Sequence, residues 1–330
     1  RREGMTMRAL QPPSDGITRV RFSPAGRDTL LLASAWDSCL RLYDASSGRL
    51  LTTHRQPRAI LDCAFNSNMS CALSAGLSRS LMAWDFQTSK EMQVGQHDNA
   101  IKCVEFHAAT QQVFTGSWDR SVCAWDMRQG NRSPTSSFRL GAKVFCMDTG
   151  RQHRIVVGGS DRCIHIFDAR NTQLPVQRYE SSLKNQLRAV KVGVDQRTIA
   201  SASVEARVAI EYFDPQENEE SRYAFKCHRV RREDGSEVIY PVNAIAFNPL
   251  YGTFASGGSD GSVCVWDTQA KKRVWRLDPF NTAVSSLDFS ADGSKLAIGV
   301  SYMYDEGAKE LMPPPELLIR SMEPSEVAPK

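Results

Sequence analysis

The chain has 330 residues, with 41 Lys and Arg against 37 Asp and Glu, a formal net charge of +4 and 41% hydrophobic residues. So mild a charge argues for neither nucleic-acid nor membrane-surface binding on composition alone, and no apolar run reaches the roughly 18 residues that span a bilayer. Nine cysteines, an odd number without a Cys-x-x-Cys pair, fit buried reduced thiols in a cytosolic or nuclear protein better than a disulfide framework or a zinc site.

Arg1–Met7 lacks the apolar centre of a secretory signal and reads as residues ahead of a start at Met5 or Met7. From there one pattern recurs: a small-residue turn leads into an alternating apolar strand that closes on an aromatic residue and Asp. The copies run from Trp36-Asp37 to Tyr43-Asp44, from Ser74–Ser78 to Trp84-Asp85, and from Gly116-Ser-Trp-Asp119 to Trp125-Asp126. They continue from Gly158-Gly-Ser-Asp161 to Phe167-Asp168, from Ser203-Val-Glu-Ala206 to Phe213-Asp214, and from Gly257-Gly-Ser-Asp260 to Trp266-Asp267. The first four closing Asp residues are 41, 41 and 42 residues apart. A period near forty with this signature marks WD40 blades of four strands each, which bury both faces only by stacking into a ring. Residues 282–322 supply a seventh copy with three strands (Val284–Phe289, Lys295–Gly299, Glu316–Arg320), and the N-terminus around Thr6–Gln11 donates the missing fourth. The prediction is an all-β, seven-bladed propeller over residues 1–330. Its blades lie at about 16–55, 56–96, 97–138, 139–181, 182–232, 238–280 and 281–322 plus 5–11.

No catalytic constellation accompanies this repeat. Gly257-Gly-Ser259-Asp-Gly261 matches a nucleophile elbow only formally, because it falls in a blade turn rather than between a strand and a helix. There is no Gly-rich phosphate loop with a following Lys and no His-Glu-x-x-His. Cys227 and His228 point to opposite faces of a strand, a poor geometry for a metal. The chain is expected to be no enzyme and to hold no cofactor or metal.

Departures from the repeat point to sites. His97, Ser117, Asp119 and Trp125 occupy the positions of a hydrogen-bonded tetrad bracing blade 3, and the other blades are expected to lack the full set and rely on apolar packing. Trp36 and Trp118 stand where blades 4 and 6 carry Ser160 and Ser259, on one rim of the disc. They either pack under neighbouring loops or anchor a bound peptide. Blade 5 replaces its Gly-Ser-x-Asp turn by Val204-Glu-Ala-Arg207, and an insertion at 215–221 then leads into an alternating basic strand, Arg222–Arg232. With Lys184 and Arg188 upstream, this is either a solvated basic face or a surface for an acidic or phosphorylated peptide.

Beyond the repeat, the chain resembles the Bub family of mitotic checkpoint propellers, its third member, along nearly its whole length. The resemblance rests on Gln11-Pro-Pro-Ser-Asp-Gly16, Ser34-Ala-Trp-Asp37, Glu180-Ser-Ser-Leu-Lys184, Ala206-Arg-Val-Ala209, Tyr223-Ala-Phe-Lys-Cys-His-Arg229, Tyr240-Pro-Val-Asn243 and Ser301-Tyr-Met-Tyr304. The paralogous RNA-export propeller of the nuclear pore shares the Lys-Cys-His-Arg block but not Tyr240-Pro-Val-Asn243. The resemblance implies a monomeric adaptor of the spindle assembly checkpoint, in the nucleus, at mitotic kinetochores and in the cytoplasm. It implies that Trp36, Trp118 and Arg207 bind GLEBS-type segments of a checkpoint kinase and its pseudokinase relative. Lys226 matches a residue that docks phosphorylated Met-Glu-Leu-Thr repeats of the kinetochore scaffold, with Lys184 and Arg188 candidates by proximity. No membrane or direct nucleic-acid partner is implied. The Ala at 206, where the family carries Gly, bears on the blade 5 turn because only Gly takes positive φ freely. The alternatives are an RNA-export adaptor and, from Trp125-Asp126-Met-Arg128, a substrate receptor of a cullin-RING ubiquitin ligase.

Overall fold

The computed structural model describes residues 7–24, 30–130 and 132–330. Thr6, at the start of the expected closing strand, lies outside them. The described chain forms seven four-stranded antiparallel sheets and one two-stranded hairpin. In six sheets the strands follow chain order outward, as in blade 1 with Ile17–Phe22, Leu30–Ala35, Cys39–Asp44 and Arg49–Arg55. The seventh runs outward from Val284–Phe289 through Lys295–Val300 and Glu316–Ser321 to Met7–Leu10. There Met7 pairs with Arg320 and Leu10 with Leu317, so the N-terminal strand completes the last blade and closes the ring.

The core explains why the blades must stack. Buried apolar residues separate into seven clusters, each spanning two adjacent blades. Leu32, Leu40 and Leu42 of blade 1 meet Ile60, Phe65 and Trp84 of blade 2, while Ala297, Leu317 and Ile319 of blade 7 meet Leu10, Ile17 and Tyr43. No blade has a core of its own. All nine cysteines are free; eight are buried and Cys163 is half-buried.

The turn between the second and third strands repeats one backbone device. Its left-handed position is held by Ser38, Arg79, Arg120, Arg162, Ala206 and Gly261, with φ between +55° and +76°. Ala206 at +55° therefore keeps the conformation that its missing Gly had put in question, as four other non-Gly residues do. An L side chain there costs about 1–2 kcal/mol. Because Arg120 is exposed, Arg120→Gly is expected to raise stability by about 1 kcal/mol, measured as a higher urea midpoint at unchanged slope.

Blade 5 differs from its expected layout. Residues Pro215–Ser221 form a short helix capped by Asp214, whose carboxylate accepts from the Glu217 N–H. The basic segment is not one strand: Tyr223–Lys226 completes blade 5, and Arg229–Arg231 pairs with Glu237–Ile239 in a separate hairpin. The break falls at His228, which is buried and held by the next blade.

Candidate functional site

The first strands of neighbouring blades pack against one another around the ring axis. Each carries a register shift between its first and third residues, at 17/19, 60/62, 101/103, 144/146, 187/189, 242/244 and 284/286, which leaves the second unpaired. Such a bulge re-aims the unpaired residue. The seven bulge residues are Thr18, Leu61, Lys102, Phe145, Arg188, Asn243 and Ser285, and all seven line one cavity of about 260 Å³ at the axial mouth. Trp36, Trp118 and Met303 line it as well, from the turns of blades 1, 3 and 7.

Trp36 is 46% exposed and Trp118 is half-buried. Trp118 Nε1, Arg188 Nε and Asn243 Oδ1 are buried without a hydrogen-bond partner, so two donors and an acceptor behind the mouth are unsatisfied. Below it the channel is filled by charge. Arg21 of blade 1 pairs with Glu105 of blade 3, Arg19 lies 3.3 Å from Asp62, and Lys191 lies 2.5 Å from Asp148. Burial pushes the Glu105 and Asp288 carboxyls up against the pull of Arg21 and Lys191. These ion pairs tie together the inner strands of blades 1 to 5 around the axis.

The structure regroups the expected site residues. Arg207 begins a third strand, one strand further from the axis than Ser203 and two further than Leu187. It does not line the mouth; Arg188, expected in the phosphate site, does. Arg207 instead pairs in register with Lys226 at the outer edge. Lys226 enters a second cavity, of about 250 Å³, between blades 5 and 6 with Arg229, Arg273 and Arg276. Arg229 is engaged by Glu237 at 2.6 Å and by the Glu205 carbonyl. Lys226, Arg273 and Arg276 are exposed and form no ion pair among the described residues. Lys184 lines neither cavity; its N–H donates to Glu205.

The expected tetrad is corrected in one member. Trp125 Nε1 donates to Thr115 Oγ1 at 2.7 Å, Thr115 Oγ1 lies 2.7 Å from His97 Nε2, and His97 Nδ1 lies 3.0 Å from Asp119. The hydroxyl in the chain belongs to Thr115, not Ser117. Ser117 sits at the strand end, where its Oγ donates to the Ala100 carbonyl and accepts from the Asp119 N–H. Burial holds His97 below its ordinary range despite Asp119, so a neutral ring with its proton on Nδ1 satisfies every member.

Blade 6 has the same chain, contrary to expectation: Trp266 to Ser256 at 2.8 Å, Ser256 to His228 at 2.8 Å, and His228 to Asp260 at 2.8 Å. Its His precedes the hairpin insertion, which hid the spacing to Asp260. Blade 5 substitutes a fully buried carboxylate, Glu211, which accepts from Ser182 N, Ser181 Oγ and Ser201 Oγ. Glu211 and Glu205 thereby anchor the loop that leads to Arg188.

Fold and mouth together define a WD40 β-propeller with one lined cavity at the mouth of its axis. A model of the WD domain, G-beta repeat matches residues 4–44, 89–126 and 225–267. The chain is 42% identical to mitotic checkpoint protein BUB3.1 of Arabidopsis thaliana, over 97% of this chain and 93% of that protein. It is 38% identical to mitotic checkpoint protein bub-3 of Caenorhabditis elegans, over 97% and 94%. Identity to protein Rae1 of Drosophila melanogaster is 31% over 94% and 92%. The solved structure of U3-55K superposes with a TM-score of 0.80 at 18% identity, covering 96% of this chain and 98% of that one, a likeness of fold. The chain belongs to the Bub3 family of mitotic checkpoint proteins.

Proposed function

We propose that the protein is a non-enzymatic adaptor of the spindle assembly checkpoint, working in the nucleus and at mitotic kinetochores. It holds GLEBS-type segments of a checkpoint kinase and its pseudokinase relative at the axial mouth. It docks phosphorylated Met-Glu-Leu-Thr repeats of the kinetochore scaffold in the basic cavity between blades 5 and 6. The observation that carries this reading is the separation of two unsatisfied sites. The mouth presents two tryptophans with unpartnered donors on Trp118 and Arg188, and the outer cavity gathers Lys226, Arg273 and Arg276, which form no ion pair among the described residues, beside Glu237 and Asp260. An apolar and acidic segment suits the first and a phosphate suits the second. Arg188 and Lys102, rather than Arg207, are placed to receive the segment's carboxylates. Arg207 lies beside Lys226 and adds positive charge for the phosphate.

A phosphothreonine adds about −1.5 to −2 charge and three acceptor oxygens. Each charge-assisted hydrogen bond contributes about 1.5–3 kcal/mol, so the wild type is expected to favour a phosphorylated repeat peptide over the plain one by at least about tenfold. Lys226→Ala is expected to remove most of that preference while leaving the plain peptide's affinity unchanged, as measured by fluorescence anisotropy. A variant that kept the wild-type preference would contradict the role of the cavity.

A further inference from the structure

The turn of blade 7, residues 301–315, reaches beyond its own blade. Asp305 accepts a hydrogen bond from Ser259 Oγ in the corresponding turn of blade 6. Its other carboxylate oxygen lies 3.5 Å from Nη2 of Arg188, the blade 5 bulge residue at the mouth. Met303, two residues earlier, lines the same mouth.

The segment is braced in this position. Tyr302 Oη donates to the Gly307 carbonyl at 2.7 Å, the Tyr302 and Tyr304 rings lie 5.3 Å apart, and Lys309 sits 4.8 Å over the Tyr302 ring while pairing with Glu306. Tyr304, beside Asp305, holds φ at +58°. A bulky residue stays in that region only when its surroundings compensate. Arg188 is thus engaged through one terminal nitrogen, while its Nε and the nearby Trp118 Nε1 stay unpartnered.

We propose that Asp305 is a resident carboxylate that occupies Arg188 in the free protein and competes with an incoming acidic ligand for it. An acidic side chain of the ligand replaces Asp305 at Arg188, and the blade 7 turn lifts from the mouth as it does so. A ligand without a carboxylate at that point leaves the contact in place and gains nothing from Arg188. The device sets how acidic a segment must be to seat at the mouth, and it rests on the mouth being the binding site for such segments.

The test has two arms. In the first, a synthetic GLEBS-type peptide containing adjacent Glu residues is titrated calorimetrically into the wild type, Asp305→Asn, Arg188→Gln and the double variant. Asp305→Asn is expected to bind about three- to tenfold more tightly than the wild type, the range for releasing a half-exposed ion pair and a charged hydrogen bond. In the Arg188→Gln background the same change is expected to have no effect, because the competition acts through Arg188. Unchanged or weakened binding by Asp305→Asn, or a gain that persists without Arg188, overturns the proposal. The second arm needs no ligand: hydrogen exchange across residues 302–312 of the free protein is expected to quicken at least threefold in both Asp305→Asn and Arg188→Gln. Should the peptide not bind the wild type, the reading of the mouth fails, and the exchange arm alone still judges the latch. Exchange that stays at the wild-type rate in both variants overturns it.

Discussion

Replacing Glu326 by Ala is expected to lower the stability of the propeller by about 3–5 kcal/mol, because it strands a buried cation. Arg320 lies on the third strand of the closing blade and is 1% exposed. Its Nη1 and Nη2 donate to the two Glu326 oxygens at 2.8 and 2.7 Å, and its guanidinium sits 4.2 Å over the Trp275 ring of blade 6. Glu326 also accepts from the Glu323 N–H, which closes the capping box of the short helix Pro324–Val327. One carboxylate therefore ties the C-terminal segment, blade 6 and the strand that pairs with Met7–Leu10. Glu326→Gln keeps one acceptor and is expected to cost about half as much. Arg320→Met combined with Glu326→Leu removes both charges and is expected to fall within about 1 kcal/mol of the wild type. Urea unfolding midpoints of the three variants check the ranking.

The second large effect concerns binding. The Trp36→Ala, Trp118→Ala double variant is expected to lose at least about 100-fold in affinity for a GLEBS-type peptide, since truncating a central aromatic anchor typically costs 2 kcal/mol or more. The two losses need not add, because both rings line the same cavity. Folding should be nearly untouched: Trp36 is 46% exposed, and neither ring belongs to an inter-blade core. A large drop in affinity at an unchanged melting temperature separates anchoring from the alternative in which these rings pack under loops.

The ring and its closure were legible because a period near forty forces a stacked arrangement, and the three-stranded remainder at 282–322 demanded a strand from the N-terminus. Trp36 and Trp118 were legible as breaks in the repeat. The bulge ring was not, because Thr18, Leu61, Lys102, Phe145, Arg188, Asn243 and Ser285 share no chemistry. What they share is the second position of an inner strand, and only the register reveals that it points to the axis. The resemblance grouped Arg207 with the two tryptophans on the top face, and nothing in the local pattern tells a third strand's distance from the axis. Arg273 and Arg276 escaped notice because they belong to a different blade from Lys226, and adjacency across blades is a property of the ring. The second tetrad was hidden by the hairpin insertion, which parts His228 from the rest of its blade.

The central claim is that the two tryptophans of the mouth meet the partner, and fluorine NMR of the protein labelled with 5-fluorotryptophan tests it most directly. The chain has six tryptophans. Trp84, Trp125, Trp266 and Trp275 are built into or packed against inter-blade cores. On titration with a GLEBS-type peptide, the signals of Trp36 and Trp118 are expected to shift to saturation while the other four stay in place. Saturable binding that leaves Trp36 and Trp118 unmoved would contradict the account.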